Sequence, residues 1–349
     1  MLQIDHVHFY VEDAQRWRDW FVNCLGFQVV NDGIFHHQKS LHTCTEIVKS
    51  GSVYFLLSSA ILDISPVAEF LRQYPPGVAD VAFAVEDVEA LTAKAISNGA
   101  TVLEPVQDAV LYKYAKIAAW GGFNHTLITR KKVKKAEGEK IIHAPIMAID
   151  HLVLNVEVGE LENAINWYQK IFDFQAQQSF NIKTDRSGLH SQVMISPHGN
   201  IQLPINEPAS PNSQIQEFLD VNRGAGIQHI ALRTLDLVDA IAHFRAAGLS
   251  FLSVPENYYS QLQKRYKFSL SPQELQAIAH QEILVDWHED APQGQLLLQI
   301  FSQPIFPQPT FFFEFIERRF LAQGFGEGNF QALFQAMESE QIKRGFVIN

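Results

Sequence analysis

Apolar and polar positions follow two rhythms along this chain, and both rhythms occur twice in the same order. Near the start an apolar strand precedes Ala14–Leu25, where Trp17, Trp20, Phe21 and Leu25 recur at helical spacing. In the middle another apolar strand precedes Leu161–Phe172, with Leu161, Ile165, Tyr168 and Phe172 spaced alike. Both stripes are expected to face a core rather than a cofactor. Short alternating segments broken by Gly, Pro and Asn then read as antiparallel sheet in each half. A second strand–helix unit follows, over residues 78–85 with 88–98 and again over 227–234 with 237–247. Gly99 and Gly248 stand where those helices should stop, and glycine relieves the left-handed strain of such a cap. The pattern predicts an α+β fold of two domains, each built of paired β-α-β-β-β modules curved into a half-open mixed β-barrel.

The repetition extends to individual residues. Ile4-Asp5-His6-Val7 reappears as Ile149-Asp150-His151-Leu152, and Gly77-Val78-Ala79-Asp80-Val81-Ala82 aligns with Gly226-Ile227-Gln228-His229-Ile230-Ala231. The register holds through Asp87/Asp236, Gly99/Gly248 and Leu103/Leu252. More loosely, residues 123–130 lie over 311–318 and place Thr126 opposite Glu314. The first half thus offers His6, Asp80 and Thr126, and the second offers His151, His229 and Glu314. Two imidazoles with one carboxylate form the facial set that holds Fe(II) with positions left open. Alternation supports the grouping. His151 shares a strand face with Ile149, Val153 and Asn155; His229 with Ile227, Ala231 and Arg233; Glu314 with Phe312 and Ile316. A carboxylate inside Phe311-Phe312-Phe313-Glu314-Phe315-Ile316 is costly to bury alone, and a cation offsets that cost. The bland alternative pairs Glu314 with Arg318 or Arg319. His6 reads as structural. His36, His37, His42, His125, His143, His198, His280 and His288 fall in loops or polar segments, where surface or hydrogen-bonding roles are expected.

Length divides the chain and charge limits its partners. At 349 residues two domains are the natural expectation, and the basic run from Arg130 to Lys135 followed by Ala136-Glu137-Gly138-Glu139-Lys140 reads as a solvated linker between residues 1–130, without a metal site, and 146–349, the catalytic half. An apolar fraction of 47% and a charged fraction of 19% describe an ordinary globular protein. The net charge of -11 argues against nucleic acid or an anionic membrane as partner. Cys24 and Cys44 form no disulfide or metal motif, no apolar run spans a bilayer, and a reducing cytoplasm is the expected location. Near the end, Gly324-Phe325-Gly326-Glu327-Gly328-Asn329-Phe330 lacks the spacing of a dinucleotide loop and leads into a helix with Phe330, Leu333, Phe334 and Met337 on one face, expected either to complete the core or, on a mobile root of Gly324, Gly326 and Gly328, to act as a lid over the second domain.

Further polar residues sit on plausible inward faces: Pro204 with Asn206, Gln299 with Leu297 and Phe301, and Ser191 after Leu189. Neutral hydrogen-bonding groups among aromatic walls suit a phenolic ring better than a phosphate or sugar.

These stretches, together with Leu203-Pro204-Ile205-Asn206-Glu207-Pro208, Gly224-Ala225-Gly226-Ile227-Gln228-His229, Leu298-Gln299-Ile300-Phe301 and the glycine-led segment, resemble the 4-hydroxyphenylpyruvate dioxygenase family of the vicinal-oxygen-chelate superfamily. The likeness spans the chain in architecture and is specific in the second half. It implies His151, His229 and Glu314 as Fe(II) ligands, and Ser191, Asn206, Gln214, Gln228 and Gln299 as a polar network at the substrate. Pro204, Phe301, Phe325 and Phe330 become substrate contacts, with the three phenylalanines walling the ring. Gln228 alternates away from His229, so its place on this face is the least supported. Asn257 stands where the family commonly has threonine, and Arg319-Phe320-Leu321-Ala322-Gln323 replaces a more polar connection. The implied reaction converts 4-hydroxyphenylpyruvate and O2 to homogentisate and CO2, without 2-oxoglutarate, in a homo-oligomer with a dimer favoured. The rivals are a hydroxymandelate synthase, an extradiol ring-cleaving dioxygenase and a non-catalytic binding module, the last of which predicts decay of the triad in both halves.

Overall fold

A computed structural model describes residues 2–30, 40–131, 144–184, 187–255, 258–265, 270–287 and 294–345. The expected linker at 132–140, His36, His37, His143, His288 and Asn257 lie outside the described residues. The first half contains β1 (Gln3–Tyr10), α1 (Ala14–Leu25), β2 (Gln28–Val29), β3 (Thr43–Ser50), β4 (Val53–Ala60), α2 (Pro66–Gln73), β5 (Gly77–Ala84), α3 (Val88–Ser97), β6 (Val102–Asp108), β7 (Tyr112–Ala118) and β8 (Asn124–Arg130). The second contains β9 (Ala148–Asn155), α4 (Leu161–Phe172), β10 (Gln175–Lys183), β11 (Gly188–Ile195), β12 (Gln202–Pro208), α5 (Gln214–Asn222), β13 (Gly226–Arg233) and α6 (Leu237–Ala246). It continues with α7 (Tyr258–Arg265), α8 (Pro272–His280), β14 (Leu284–Asp286), β15 (Leu296–Phe301), β16 (Phe312–Arg319) and α9 (Phe330–Arg344).

Each half is one eight-stranded mixed sheet, ordered β2-β3-β4-β1-β5-β8-β7-β6 and β10-β11-β12-β9-β13-β16-β15-β14, so the second repeats the first strand for strand. The repeated residues earn their places physically. Asp87 and Asp236 are helix N-caps whose carboxylates accept from Ala90 N at 2.9 Å and Asp239 N at 3.0 Å. Gly99 and Gly248 carry φ of 82° and 96° just past the helix ends, where a Cβ would be strained. The registers also coincide: His6 lies opposite Ala82 as His151 lies opposite Ala231, and Asp80 opposite Asn124 as His229 lies opposite Phe312. Thr126 therefore occupies the structural position of Glu314. The sequence pattern did not reveal α2 and α5, which sit at matching places. Both are short and are started by the buried serines Ser65 and Ser213, whose side chains accept from Ala68 N and Ile215 N.

The two sheets share one apolar seam. Alternate residues of β16 serve opposite faces, so Phe313 stacks on Phe55 at 5.9 Å while Phe312 and Glu314 face a cavity on the other side. Phe311, just before the strand, meets Phe9 edge-on at 5.2 Å, and Trp17 meets Phe306 at 4.7 Å. The helical stripes behave as expected: Trp17, Phe21, Leu25, Ile165, Tyr168 and Phe172 are core. Cys24 and Cys44 are free thiols. No described helix is long and apolar enough to cross a membrane.

His125 differs from the loop or polar-segment histidine that the sequence suggested. It is a buried residue of β8 whose Nδ1 donates to Val81 O at 2.8 Å, leaving Nε2 to accept from Tyr168 OH at 3.1 Å across the seam. Burial lowers its pKa to about 4. The unfolded ring takes up a proton near 6.5 and the folded ring only near 4, so stability is lost as pH falls through that window, by up to about 3 kcal/mol. Denaturant unfolding at pH 7.5, 6 and 4.5 should show this fall, and His125→Gln should flatten it. An equal slope in the variant would contradict the assignment.

Candidate active site

Three strands of the second sheet carry the triad inward. His151 projects from β9, His229 from β13 and Glu314 from β16, and one ligand atom of each lies within 4.8 Å of the others. Glu314 Oε2 is 3.1 Å from His151 Nε2 and 3.7 Å from His229 Nε2, with the carboxylate side chain 4% exposed. Arg318 and Arg319, the alternative partners for Glu314, instead give their guanidinium groups to Asp150 and to Glu317 and Glu274. Burial opposes charge on His151, yet Glu314 and Asp150 on either side raise its pKa to about 9. Burial, and then the nearby charge of His151, lower that of His229.

Each imidazole is held from behind. His151 Nδ1 donates to Asp150 Oδ1 at 3.1 Å, and His229 Nδ1 faces Gln228 Oε1 at 3.4 Å. Both contacts turn Nε2 toward Glu314, the outer support that fixes ring orientation in metal sites. Phe312 stacks on His229 at 4.7 Å, and Phe325 meets His151 edge-on at 5.3 Å.

The triad forms one end of a half-open cavity whose walls bound about 660 Å³, mouth included. All the other singled-out residues line it: Ser191, Pro204, Asn206, Gln214, Gln228, Gln299, Phe301, Phe325 and Phe330. Gln228 corrects the alternation argument. A bulge in the β9–β13 pairing between Ile227 and His229 breaks the two-residue period, so Gln228 and His229 both reach the cavity. Ser191 and Asn206 face each other across β11 and β12, and Asn206 Nδ2 donates to Asn155 Oδ1 at 3.2 Å. Both amide atoms of Gln299 and Oε1 of Gln214 are buried without a protein partner. The donor set and these unpartnered amides fit a divalent metal with a polar ligand beside it.

The C-terminal segment closes the cavity. Phe330, Leu333, Phe334 and Met337 of α9 turn toward it, as their spacing predicts. The helix is clasped by Thr184 and Ser187, which donate to Glu338 at 2.5 and 2.6 Å, and by Arg344, whose guanidinium forks onto Glu217 at 3.0 and 2.8 Å. Glycines in its root allow close approach: a Cβ on Gly326 would lie 1.9 Å from Gln299 Oε1, and one on Gly328 2.3 Å from Asp286 Oδ1. Phe180, Ile182 and Ile215 also line the cavity and were not singled out from sequence. Asp150 and Arg318 were missed as a support, although the repeated Asp-His pair was visible.

In the first half the residues at the same positions bond to each other. Thr126 Oγ1 donates to Asp80 at 2.7 Å, and Lys116 Nζ stands 4.0 Å from the same carboxylate. Lys116 holds the register place that Phe301 has in the second half, because Lys116 pairs with Thr126 as Phe301 pairs with Glu314.

The chain matches the family model of the Glyoxalase/Bleomycin resistance protein/Dioxygenase superfamily twice, over residues 3–118 and 148–267. It is 38% identical to the 4-hydroxyphenylpyruvate dioxygenase of Yarrowia lipolytica over 98% of this chain and 92% of that protein. It is 36% identical to the enzyme of that name from Caenorhabditis briggsae, over 99% and 93%, and 34% identical to an uncharacterised Synechocystis protein, over 97% and 98%. A triple mutant of 4-hydroxymandelate synthase from Streptomyces coelicolor superposes with a TM-score of 0.84 at 26% identity, covering 97% of this chain and 98% of that one. The duplicated sheets and near-full-length likeness place the chain in the Glyoxalase/Bleomycin resistance protein/Dioxygenase superfamily and, within it, among the 4-hydroxyphenylpyruvate dioxygenase-like enzymes.

Proposed function

We propose that this chain is an Fe(II)-dependent dioxygenase that converts 4-hydroxyphenylpyruvate and O2 to homogentisate and CO2, with 146–349 as the catalytic domain and 1–130 as a domain without a metal site. The observation that carries this reading is the charge balance of the cavity. Its described lining has one carboxylate, Glu314, and neither lysine nor arginine. A protonated His151 is already answered by Glu314 at 3.1 Å, so an anionic 2-oxo acid entering such a cavity needs a further cation. His151, His229 and Glu314 would hold a divalent metal, and that ion would supply the missing positive charge beside the 2-oxo carboxylate. When bound, Fe(II) supplies the redox chemistry of oxygen activation, decarboxylation and ring hydroxylation.

The protein's own groups orient and enclose. Gln299 and Gln214, with unpartnered amides, offer hydrogen bonds to substrate oxygens, and Ser191 and Asn206 extend the polar wall. Gln228 acts behind His229 as well as at the cavity surface. Phe301, Phe325, Phe330 and Pro204 form the aromatic and aliphatic walls, which suit a flat phenol and keep water from the reacting centre. The same walls would hold the substrate ring in one orientation beside the triad. The second reading, hydroxymandelate synthase, shares substrates and fold. It is supported by the superposed synthase at 26% identity, against 36–38% for two relatives named as the dioxygenase.

Aerobic incubation of the iron-loaded protein with 4-hydroxyphenylpyruvate should consume one O2, release one CO2 and yield homogentisate by mass spectrometry, without response to 2-oxoglutarate. 4-Hydroxymandelate as main product would transfer the chain to the synthase reading, and cleavage of a catechol ring to the extradiol one.

Phe330 separates a closing wall from simple core. It is half-buried and meets Phe180 edge-on at 5.1 Å, whereas Phe334 is 2% exposed. Phe334→Ala should cost about 3–5 kcal/mol, the range for a truncated buried Phe, and Phe330→Ala clearly less. Phe330→Ala should instead let O2 consumption outrun homogentisate formation. A large fall in melting temperature with unchanged coupling would place Phe330 in the core.

A further inference from the structure

The strongest unused feature lies behind His151. Asp150 is wholly buried, and Arg318 grips it with two parallel bonds, Nη2 to Oδ1 at 2.7 Å and Nε to Oδ2 at 2.8 Å. The remaining arm of Arg318 does not point at solvent. Its Nη1 donates to the carbonyls of Ala322 at 3.1 Å and Gly324 at 2.9 Å, the root of the segment that carries Phe325. Asp150 Oδ1, the oxygen that receives Arg318 Nη2, also accepts from His151 Nδ1. Phe325 closes the circuit by meeting the His151 ring edge-on at 5.3 Å. Arg233 adds a second cation to Asp150 Oδ2, at 2.7 Å.

The first half supplies an internal control. Arg130 forks onto Asp5 at 2.7 Å through both Nε and Nη2, and His6 Nδ1 donates to Asp5 at 2.8 Å. The Asp–Arg–His clamp therefore exists without a metal triad, and closing strand to strand is enough to explain it there. In the second half Arg318 reaches the Ala322 and Gly324 carbonyls, and Arg233, which stands where the first half has Ala84, joins it on Asp150. These contacts of Arg318 run toward the cavity segment.

We propose that Arg318 is a positioning residue that couples the orientation of His151 at the metal to the seating of the 322–326 segment over the cavity. The inference rests on the reading of His151 as a metal ligand. A planar guanidinium can hold a carboxylate in two bonds and two carbonyls in another direction at once, whereas an ammonium offers a single point. Ring rotation at His151 must move Asp150, and Asp150 cannot move without pulling on Arg318 and the two carbonyls. The element shared by both sites is physical and contiguous.

The test uses the full chain stripped of metal, with Co(II) as probe, and compares Arg318→Lys with Arg130→Lys. In the wild type, Co(II) should slow amide exchange at residues 322–326. In Arg318→Lys, Co(II) affinity should fall roughly 10–100-fold, as for other outer-shell partners of metal ligands. Its visible Co(II) spectrum should change, and exchange at 322–326 should quicken and lose its response to the metal. Arg130→Lys should lower the melting temperature while leaving all three readouts at wild-type values. Asp150→Asn, nearly isosteric, approaches the coupling from the other end and should also free residues 322–326, which keeps the test open if Arg318→Lys does not fold. Unchanged Co(II) affinity in Arg318→Lys, or lowered affinity with unmoved exchange at 322–326, would overturn the coupling. Wild-type protein that takes up no Co(II) would overturn the metal reading instead.

Discussion

The arrangement depends on one buried carboxylate. Glu314 sits in an otherwise apolar strand, flanked by Phe311, Phe312, Phe313, Phe315 and Ile316, all nearly inaccessible to water. A carboxylate there costs several kcal/mol unless its charge is answered. The neighbouring arginines are committed elsewhere, so two imidazoles face it from β9 and β13. Everything around them serves that meeting: Asp150 and Gln228 turn the rings, Phe312 and Phe325 wall them, and the seam through Phe313 and Phe311 holds β16 in place from the opposite face.

The first half shows how the same scaffold settles a different set of residues. Asp80 and Thr126 take the positions of His229 and Glu314 and bond to each other, and Lys116 brings a fixed positive charge to the carboxylate. Burial pushes the Asp80 carboxyl up in pKa, and Lys116 pulls the other way. A side-chain cation in one copy occupies the electrostatic role proposed for a metal in the other. The first half still contributes to the cavity indirectly, because its Phe9, Phe55 and Trp17 pack against the elements that carry Glu314.

Much of this was legible because duplication prints the same physical requirement twice. The paired Asp87 and Asp236 are helix caps, and the paired glycines after α3 and α6 sit at positive φ, so one spacing carried the alignment through both, while Thr126 was set against Glu314 by the looser match of residues 123–130 with 311–318. Alternation put His151 and Glu314 on the strand faces that line the cavity and failed at Gln228, because a bulge is invisible to a period of two. Helices α2 and α5 escaped because they are too short for a 3.6-residue period to stand out. The glycines of the C-terminal segment suggested mobility in sequence. In the fold, Gly326 and Gly328 serve close approach to Gln299 and Asp286. The Arg318 bridge could not be read from spacing, since its partners at Asp150 and Gly324 are joined only by the folded sheet.

The most direct test of the central claim is anomalous diffraction at the iron edge, on crystals loaded anaerobically with Fe(II) and 4-hydroxyphenylpyruvate. The account predicts one peak per chain, within bonding distance of His151 Nε2, His229 Nε2 and a Glu314 oxygen, with the 2-oxo acid chelated to it. A second peak at Asp80, or a single peak away from Glu314, would contradict it.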